Sequence, residues 1–322
     1  VTPEERARRV KARALELGFT AAGITDLSPP LHTAQLDRWL DAGMAGTMRY
    51  MHRQAARRRE PARIVPGTTR AVVVTRNYYK PDPPRRRGAG RIARYARGMD
   101  YHTALAEPLR LLADYLRSLG PPGTVASSYV DAGPVPEREL AQRAGLGWIG
   151  KNTMLIDPER GSYTFLAAVL TDLDLAVDLP FAADRCGTCT RCLDACPTAA
   201  FPEPRVLDAT RCISYLTIEY RGGIEPALAS AMGDWIFGCD VCQEVCPWNE
   251  KFAAASDDPA LGFAPDLAAA PLDELLAMDE SGFARRFGHT AITRTGLDGM
   301  KRNATIASRN AAGGRTDRQI GG

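Results

Sequence analysis

Apolar and polar positions alternate in a way that divides the chain into short helices and strands. Val10, Ala14, Leu15 and Leu17 recur at helical spacing and predict an opening helix. Thr2 can cap it, Pro3 suits its first turn, Glu5 completes a capping box, and Gly18 ends it. Residues 19–24 read as a short strand, and residues 35–42 as a helix with Trp39 and Leu40 turned inward. The β-branched run 71–75 predicts a buried strand. Asn77, Tyr78 and Tyr79 follow at its carboxyl end, where α/β-type sheets tend to place ligands. A helix runs from Asp100, a plausible N-cap, to about Leu119. Residues 125–130 form another strand that delivers Asp131, and Pro134 and Pro136 start a helix over 137–144. Residues 163–170 are apolar enough for a central strand.

The stretches between these elements differ in kind. Residues 43–50 are loose, and residues 81–90, rich in Pro, Arg and Gly, predict an exposed loop. Gly145-Leu-Gly-Trp-Ile-Gly150-Lys-Asn152 is a glycine-punctuated turn at which backbone can approach a flat ligand closely. Residues 253–270 look linker-like, residues 272–287 helical, and the Gly- and Arg-rich tail from Arg309 disordered. No repeat of fixed period is present.

Composition narrows the class. A chain of 322 residues with 45% apolar content is ordinary for globular protein and long enough for two or three domains. No run approaches the roughly 20 apolar residues of a membrane span, and the N-terminus lacks the apolar core of a signal peptide. The expectation is a cytoplasmic protein. A net charge of +3 is too mild to imply a nucleic-acid partner. Arginine carries most of the positive charge, and a cluster at Arg53, Arg57, Arg58 and Arg59 reads either as a solvated helix face or as an anion clamp.

The chemistry is concentrated in the cysteines. All eight lie between residues 186 and 246. Cys186-Gly-Thr-Cys189-Thr-Arg-Cys192-Leu-Asp-Ala-Cys196-Pro197 has the C-x2-C-x2-C-x3-C-P spacing of bacterial ferredoxins, whose fourth cysteine reaches a neighbouring cluster. The second run, Cys239-Asp-Val-Cys242-Gln-Glu-Val-Cys246-Pro247, lacks its first cysteine, since Ile236 stands there, and Cys212 is the one thiol left to replace it. By that logic one [4Fe–4S] cluster takes Cys186, Cys189, Cys192 and Cys246. The other takes Cys239, Cys242, Cys196 and Cys212. Zinc sites favour paired C-x2-C units with long spacers, and disulfide frameworks belong to short secreted chains.

Further motifs carry a resemblance. Val130-Asp-Ala-Gly-Pro-Val-Pro-Glu-Arg138 precedes Ala144-Gly-Leu-Gly-Trp-Ile-Gly-Lys-Asn152. Arg211-Cys-Ile-Ser-Tyr-Leu-Thr-Ile-Glu219 precedes Gly238-Cys-Asp-Val-Cys-Gln-Glu-Val-Cys-Pro-Trp-Asn249. With these, residues 10–250 resemble the epoxyqueuosine reductases, cobalamin-dependent iron–sulfur enzymes of tRNA queuosine biosynthesis. Reductive dehalogenases share the broad plan more distantly.

The resemblance implies an α+β fold. A cobalamin-binding α/β sandwich-type domain would span residues 1–175, and a two-cluster ferredoxin-like domain residues 176–255. A short helical C-terminus would cover residues 256–322. Many members continue into a helical-repeat domain that holds tRNA, and residues 272–310 are too few for such an array. Arg285, Arg286, Arg294, Lys301 and Arg302 are candidate phosphate contacts there.

The implied reaction removes the oxygen of an epoxide as water, leaving an alkene, at the cost of two electrons and two protons. Cob(I)alamin would act on the substrate, fed through the clusters by an external one-electron donor such as a flavodoxin or ferredoxin. The proton source would be Asp131, raised in pKa by burial against the corrin. Ala132 and Gly133 depart from the family's usual Ser or Thr and Ala. Corrin-side positions would be Arg58, Tyr95, Asp100, Tyr101, His102, Trp148, Lys151, Ser214 and Asp240. Asp100-x-His102 is not the D-x-H-x-x-G cobalamin loop, because Leu105 occupies the glycine position. A monomer acting on tRNA is expected. The rivals are a corrinoid iron–sulfur reductase of another substrate and a ferredoxin-type electron carrier.

Overall fold

The computed structural model describes residues 1–313. Four strands lie in the order Ala21–Asp26, Arg70–Asn77, Thr164–Thr171 and Ala126–Tyr129, each neighbouring pair antiparallel. The alternation of side chains builds two apolar faces from one run of valines. Val72 and Val74 join Ile24, Ala167 and Val169 on one face, while Ala71 and Val73 join Ala168 and Leu170 on the other. The helices Pro3–Glu16 and Tyr101–Leu119 cover the first face through Val10, Ala14, Leu105, Leu109 and Leu112. Glu137–Arg143 covers the second through Leu140 and Ala141. Burial of each large apolar side chain contributes about 1.5–3 kcal/mol. The result is the expected α/β sandwich, with the strand Thr164–Thr171 in a central position.

Helix starts follow their side-chain caps. Thr2 accepts the Glu5 amide at 3.3 Å. The Glu5 carboxylate pairs with Arg8 at 2.8 Å, so the capping box is only half made. Asp100 caps the long helix by accepting the His102 amide at 3.0 Å.

A second sheet ties distant parts of the chain together. Ala89–Ile92 runs parallel to Trp235–Phe237 and antiparallel to Ala270–Pro271. Leu272, Leu275, Phe283, Phe287, Ile292, Met300 and Ala304 belong to the same core as Val72 and Leu105. Divisions expected at residues 175 and 255 therefore do not separate independent cores. The stretch 253–270 resembles a linker in composition, yet its short turns bury Leu261 and Leu267. The helix Gly296–Ala312 continues through Arg309, where disorder was expected to begin. Residues 314–322 lie outside the described residues. No helix among the described residues is long and apolar enough to cross a membrane.

Candidate active site and cluster-binding loops

The eight thiols gather as two neighbouring groups. Cys192 has Cys186, Cys246 and Cys189 as its charged neighbours, and together with burial they push its thiol up to about 11. Cys239 faces Cys242 and Cys212, and Cys212 faces Cys196. Cys242 lies within electrostatic reach of both Cys196 and Cys192, so the two groups adjoin. Among the described residues, no three His, Cys, Asp or Glu converge as the ligands of one ion would. A single zinc needs its thiolates at about 2.3 Å from one centre, whereas a cubane spreads four thiolates over four irons. The donor set fits clusters.

Several residues expected beside a corrin make contacts with these loops. Trp148 is buried, and its indole N–H donates to Cys186 Sγ at 3.4 Å. Lys151 Nζ donates to the carbonyls of Gly187 at 2.7 Å and Cys189 at 2.9 Å. Ser214 sits over Cys212, where its amide opposes the upward push of burial on that thiol. The glycine turn is shaped by its own chain. A Cβ on Gly147, whose φ is +150°, would lie 2.2 Å from the Ile156 carbonyl. At Gly147 the missing side chain lets backbone approach backbone. Ile236 is fully buried in the main core, so the missing-ligand position has become a packing position.

Asp240 links the second thiol group to the catalytic-side domain. It is 2% exposed and accepts from the Arg94 amide at 2.8 Å and the Arg94 guanidinium at 3.0 Å. Burial raises its carboxyl, and the Arg94 charge opposes that. Arg94 also binds Glu244 at 2.9 Å and pairs with Asp82.

The other constellation forms at one end of the main sheet. Ala126–Tyr129 and Arg70–Asn77 both run antiparallel to Thr164–Thr171, so their carboxyl ends lie together. Tyr78 and Tyr79 meet Tyr163 there at 5.9 and 4.9 Å between ring centroids. Asp131 follows the edge strand, exposed and left-handed with φ +45°. Tyr101 donates its hydroxyl to Asp131 Oδ2. The Tyr101 ring stacks on Phe165 at 4.8 Å and on His102 at 4.2 Å, and meets Tyr95 edge-on at 6.1 Å. His102 Nδ1 lies 2.8 Å from Asp100 Oδ1, so Asp100 both caps the helix and fixes the imidazole.

Arg58 reaches the same loop and donates to the Gly133 carbonyl at 3.2 Å, while its buried Nε has no partner among the described residues. The structure thus brings together Arg58, Tyr95, Asp100, Tyr101, His102 and Asp131, and separates them from Trp148 and Lys151. Asp131 itself is exposed on the sheet-end loop. Glu137, beside it, has its carboxyl pushed up to about 7 by burial first and by the Asp131 charge second.

Glu137 was legible only as a residue of a motif. Arg294, 3.1 Å from Glu219, lies within electrostatic reach of Asp131, Tyr101 and Tyr50. Of the other candidate phosphate contacts, Arg302 donates to the carbonyls of Leu216, Tyr220 and Gly222. Arg286 pairs with Glu274 at 2.8 Å, and Arg285 donates to Ser281 Oγ at 3.1 Å. In the basic cluster Arg59 pairs with Asp37.

An α/β sandwich carrying an acid at its sheet end, joined to a double cubane-binding unit, defines an iron–sulfur oxidoreductase. Residues 185–249 match the family described as "4Fe-4S double cluster binding domain", and residues 58–132 match "Epoxyqueuosine reductase QueG, DUF1730". The epoxyqueuosine reductase of Xanthomonas campestris pv. campestris is 43% identical over 97% of this chain and 88% of its own. A crystal structure of epoxyqueuosine reductase with an epoxyqueuosine-modified tRNA-Tyr stem loop superposes with a TM-score of 0.89. It shares 31% identity and covers 97% of this chain and 83% of that one. The Bacillus subtilis epoxyqueuosine reductase, with its catalytic aspartate loop swung out of the active site, superposes at 0.86 with 31% identity. That match covers 95% of this chain and 82% of that one. The chain belongs to the epoxyqueuosine reductase family.

Proposed function

We propose that this chain reduces epoxyqueuosine to queuosine in tRNA, with Asp131 as the proton donor and cobalamin as the group that acts on the epoxide. The family relationship supports the reaction. The observation that carries the site assignment is the Tyr101–Asp131 hydrogen bond at the aromatic end of the sheet. In this reading residues 131–134 form the catalytic aspartate loop. Tyr95 and His102 offer flat, polar-tipped surfaces to a corrin, and Arg58 carries a buried Nε that has no partner among the described residues. Bound and reduced, cobalamin supplies the electron pair that opens the epoxide.

The protein residues divide the remaining tasks. Tyr101 fixes one carboxylate oxygen of Asp131 and leaves the other for the substrate oxygen. That oxygen departs as water after taking up two protons. Arg294 and Arg58 place positive charge on either side of Asp131, where the phosphates of a splayed anticodon nucleotide would approach. An external one-electron donor, such as a flavodoxin or ferredoxin, would feed the clusters. Asp240 follows Cys239 directly and leads from the second group toward the site.

The test is anaerobic reconstitution with iron, sulfide and cobalamin, followed by assay on epoxyqueuosine-tRNA with a strong reductant. Asp131→Asn should keep cluster and corrin spectra while losing most turnover. Unchanged turnover would remove Asp131 from the chemistry, and corrin binding without queuosine formation would overturn the substrate assignment.

A further inference from the structure

The Asp131 loop is held in an unfavourable conformation by very few contacts. Asp131 has φ +45° and Gly133 φ +82°, and a left-handed non-glycine residue persists only where its surroundings impose it. Residues 131–133 are exposed, so no apolar packing pins them. Three polar ties from three elements do so. Tyr101, from the long helix, holds the Asp131 carboxylate. Arg58, from the helix Ala55–Arg59, holds the Gly133 carbonyl at 3.2 Å. Glu137 Oε1, from the first residue of the helix Glu137–Arg143, accepts the Asp131 amide at 2.9 Å. Of the three, only the Glu137 tie acts on the backbone of the left-handed residue itself.

We propose that Glu137 is a positioning residue, whose half-buried carboxyl group holds the Asp131 backbone amide and thereby keeps the proton donor turned into the site. This rests on the reading of Asp131 as the donor. The groups facing Glu137 are Asp131 on the loop, Arg58 on the helix Ala55–Arg59 and Arg138 beside it. Burial and the Asp131 charge favour the protonated form and outweigh the Asp131 amide, Arg58 and Arg138, which favour the carboxylate. Turning the loop outward exposes Glu137 and removes Asp131 from it. The inward state therefore binds the Glu137 proton more tightly, and by linkage protonation favours that state. Rising pH through about 7 loosens the loop.

Two substitutions separate the tie from the charge. Glutamine keeps an oxygen that can accept the amide and carries no charge at any pH, whereas alanine removes the acceptor. Amide hydrogen exchange of residues 131–133 in the reconstituted enzyme, corrected for intrinsic rate at each pH, reads the loop directly, with the Asp131 amide reporting the tie itself. The native enzyme should lose protection between pH 6 and 8 around the Glu137 transition near 7. Glu137→Gln should stay protected across that range, and Glu137→Ala unprotected throughout. At pH 7, kcat of Glu137→Ala should fall about tenfold or more, with KM for tRNA changed less than about twofold, and Glu137→Gln should restore most of it.

Protection in Glu137→Ala equal to that of the native enzyme would overturn the proposal. So would loss of protection in Glu137→Gln matching that in Glu137→Ala. Cluster absorbance confirms that each variant is folded. Exchange reads the tie whatever Asp131 does in turnover, so a fully active Asp131→Asn would sink the donor reading alone.

Discussion

Tyr101 donates its hydroxyl to the carboxylate of Asp131, joining the first residue of a long helix to a residue two positions beyond an edge strand. Burial and the Asp131 charge both raise the phenol above its ordinary value, so Tyr101 stays protonated and remains the donor. Its ring is held between Phe165 and His102, so the hydroxyl has little freedom to follow the loop. The pair sets where the acid stands, and the Glu137 amide tie sets which way the backbone faces.

Tyr101→Phe keeps the ring stack and deletes that hydrogen bond. A hydrogen bond to a charged group contributes about 1.5–3 kcal/mol, so kcat should fall roughly 10- to 100-fold. KM for epoxyqueuosine-tRNA should barely move, because the phenol acts through Asp131. Single-turnover rates on the reconstituted enzyme check this, and a kcat within twofold of native would show that Asp131 does not need the tie.

The cysteine groups were legible because ferredoxin-type ligand spacing is written along a short stretch of chain. The vacancy at Ile236 could be counted, and Cys212 was the one thiol left to fill it. The sheet was legible for a similar reason, since runs such as residues 71–75 and 163–170 leave little choice. Contacts between distant segments were not. Nothing local marks Arg94 as the partner of Asp240, because the two are 146 positions apart. The glycines of residues 145–150 suggested a ligand surface, and the close approach of the Ile156 backbone to Gly147 could not be read from the sequence. Glu137 was visible as a carboxylate at a helix start, whereas its burial and its hold on the Asp131 amide depend on tertiary structure.

Cys212 provides a test of the thiol grouping. Cys212→Ala should leave the protein with about half of its iron after anaerobic reconstitution, or with one labile cluster. The surviving cluster should be the one at Cys186, Cys189, Cys192 and Cys246. Full iron content with native electron paramagnetic resonance would show that Cys212 is not a ligand.

Arg94 and Asp240 form a buried pair, with side chains 7% and 2% exposed. Removing one partner of such a pair leaves an uncompensated charge and costs about 3–5 kcal/mol. Arg94→Met should lower stability by an amount of that order at neutral pH. Burial already raises the Asp240 carboxyl against the opposing Arg94 charge, so loss of Arg94 raises it further. The variant should accordingly recover part of its stability as pH falls and Asp240 becomes neutral. Thermal melts of the cluster-loaded protein from pH 5 to 8 measure both effects, and a pH-independent loss would count against the pairing.

Glu137 makes a separate prediction about stability. Its carboxyl titrates near 7 in the folded chain against an ordinary value of 4.5. A group raised in this way contributes stability that is fully present below about pH 4.5 and is lost as pH rises through about 7. Glutamine has no proton to lose, so Glu137→Gln should gain on the native protein as pH increases. The gain from pH 5 to pH 8 should be on the order of 1–2 kcal/mol, less than the full shift implies because the group keeps some contact with solvent. Denaturant unfolding of the two proteins side by side at each pH gives the difference. A constant offset would mean that Glu137 titrates at its ordinary value, and a gain toward acid would mean that the carboxylate is the form the fold prefers.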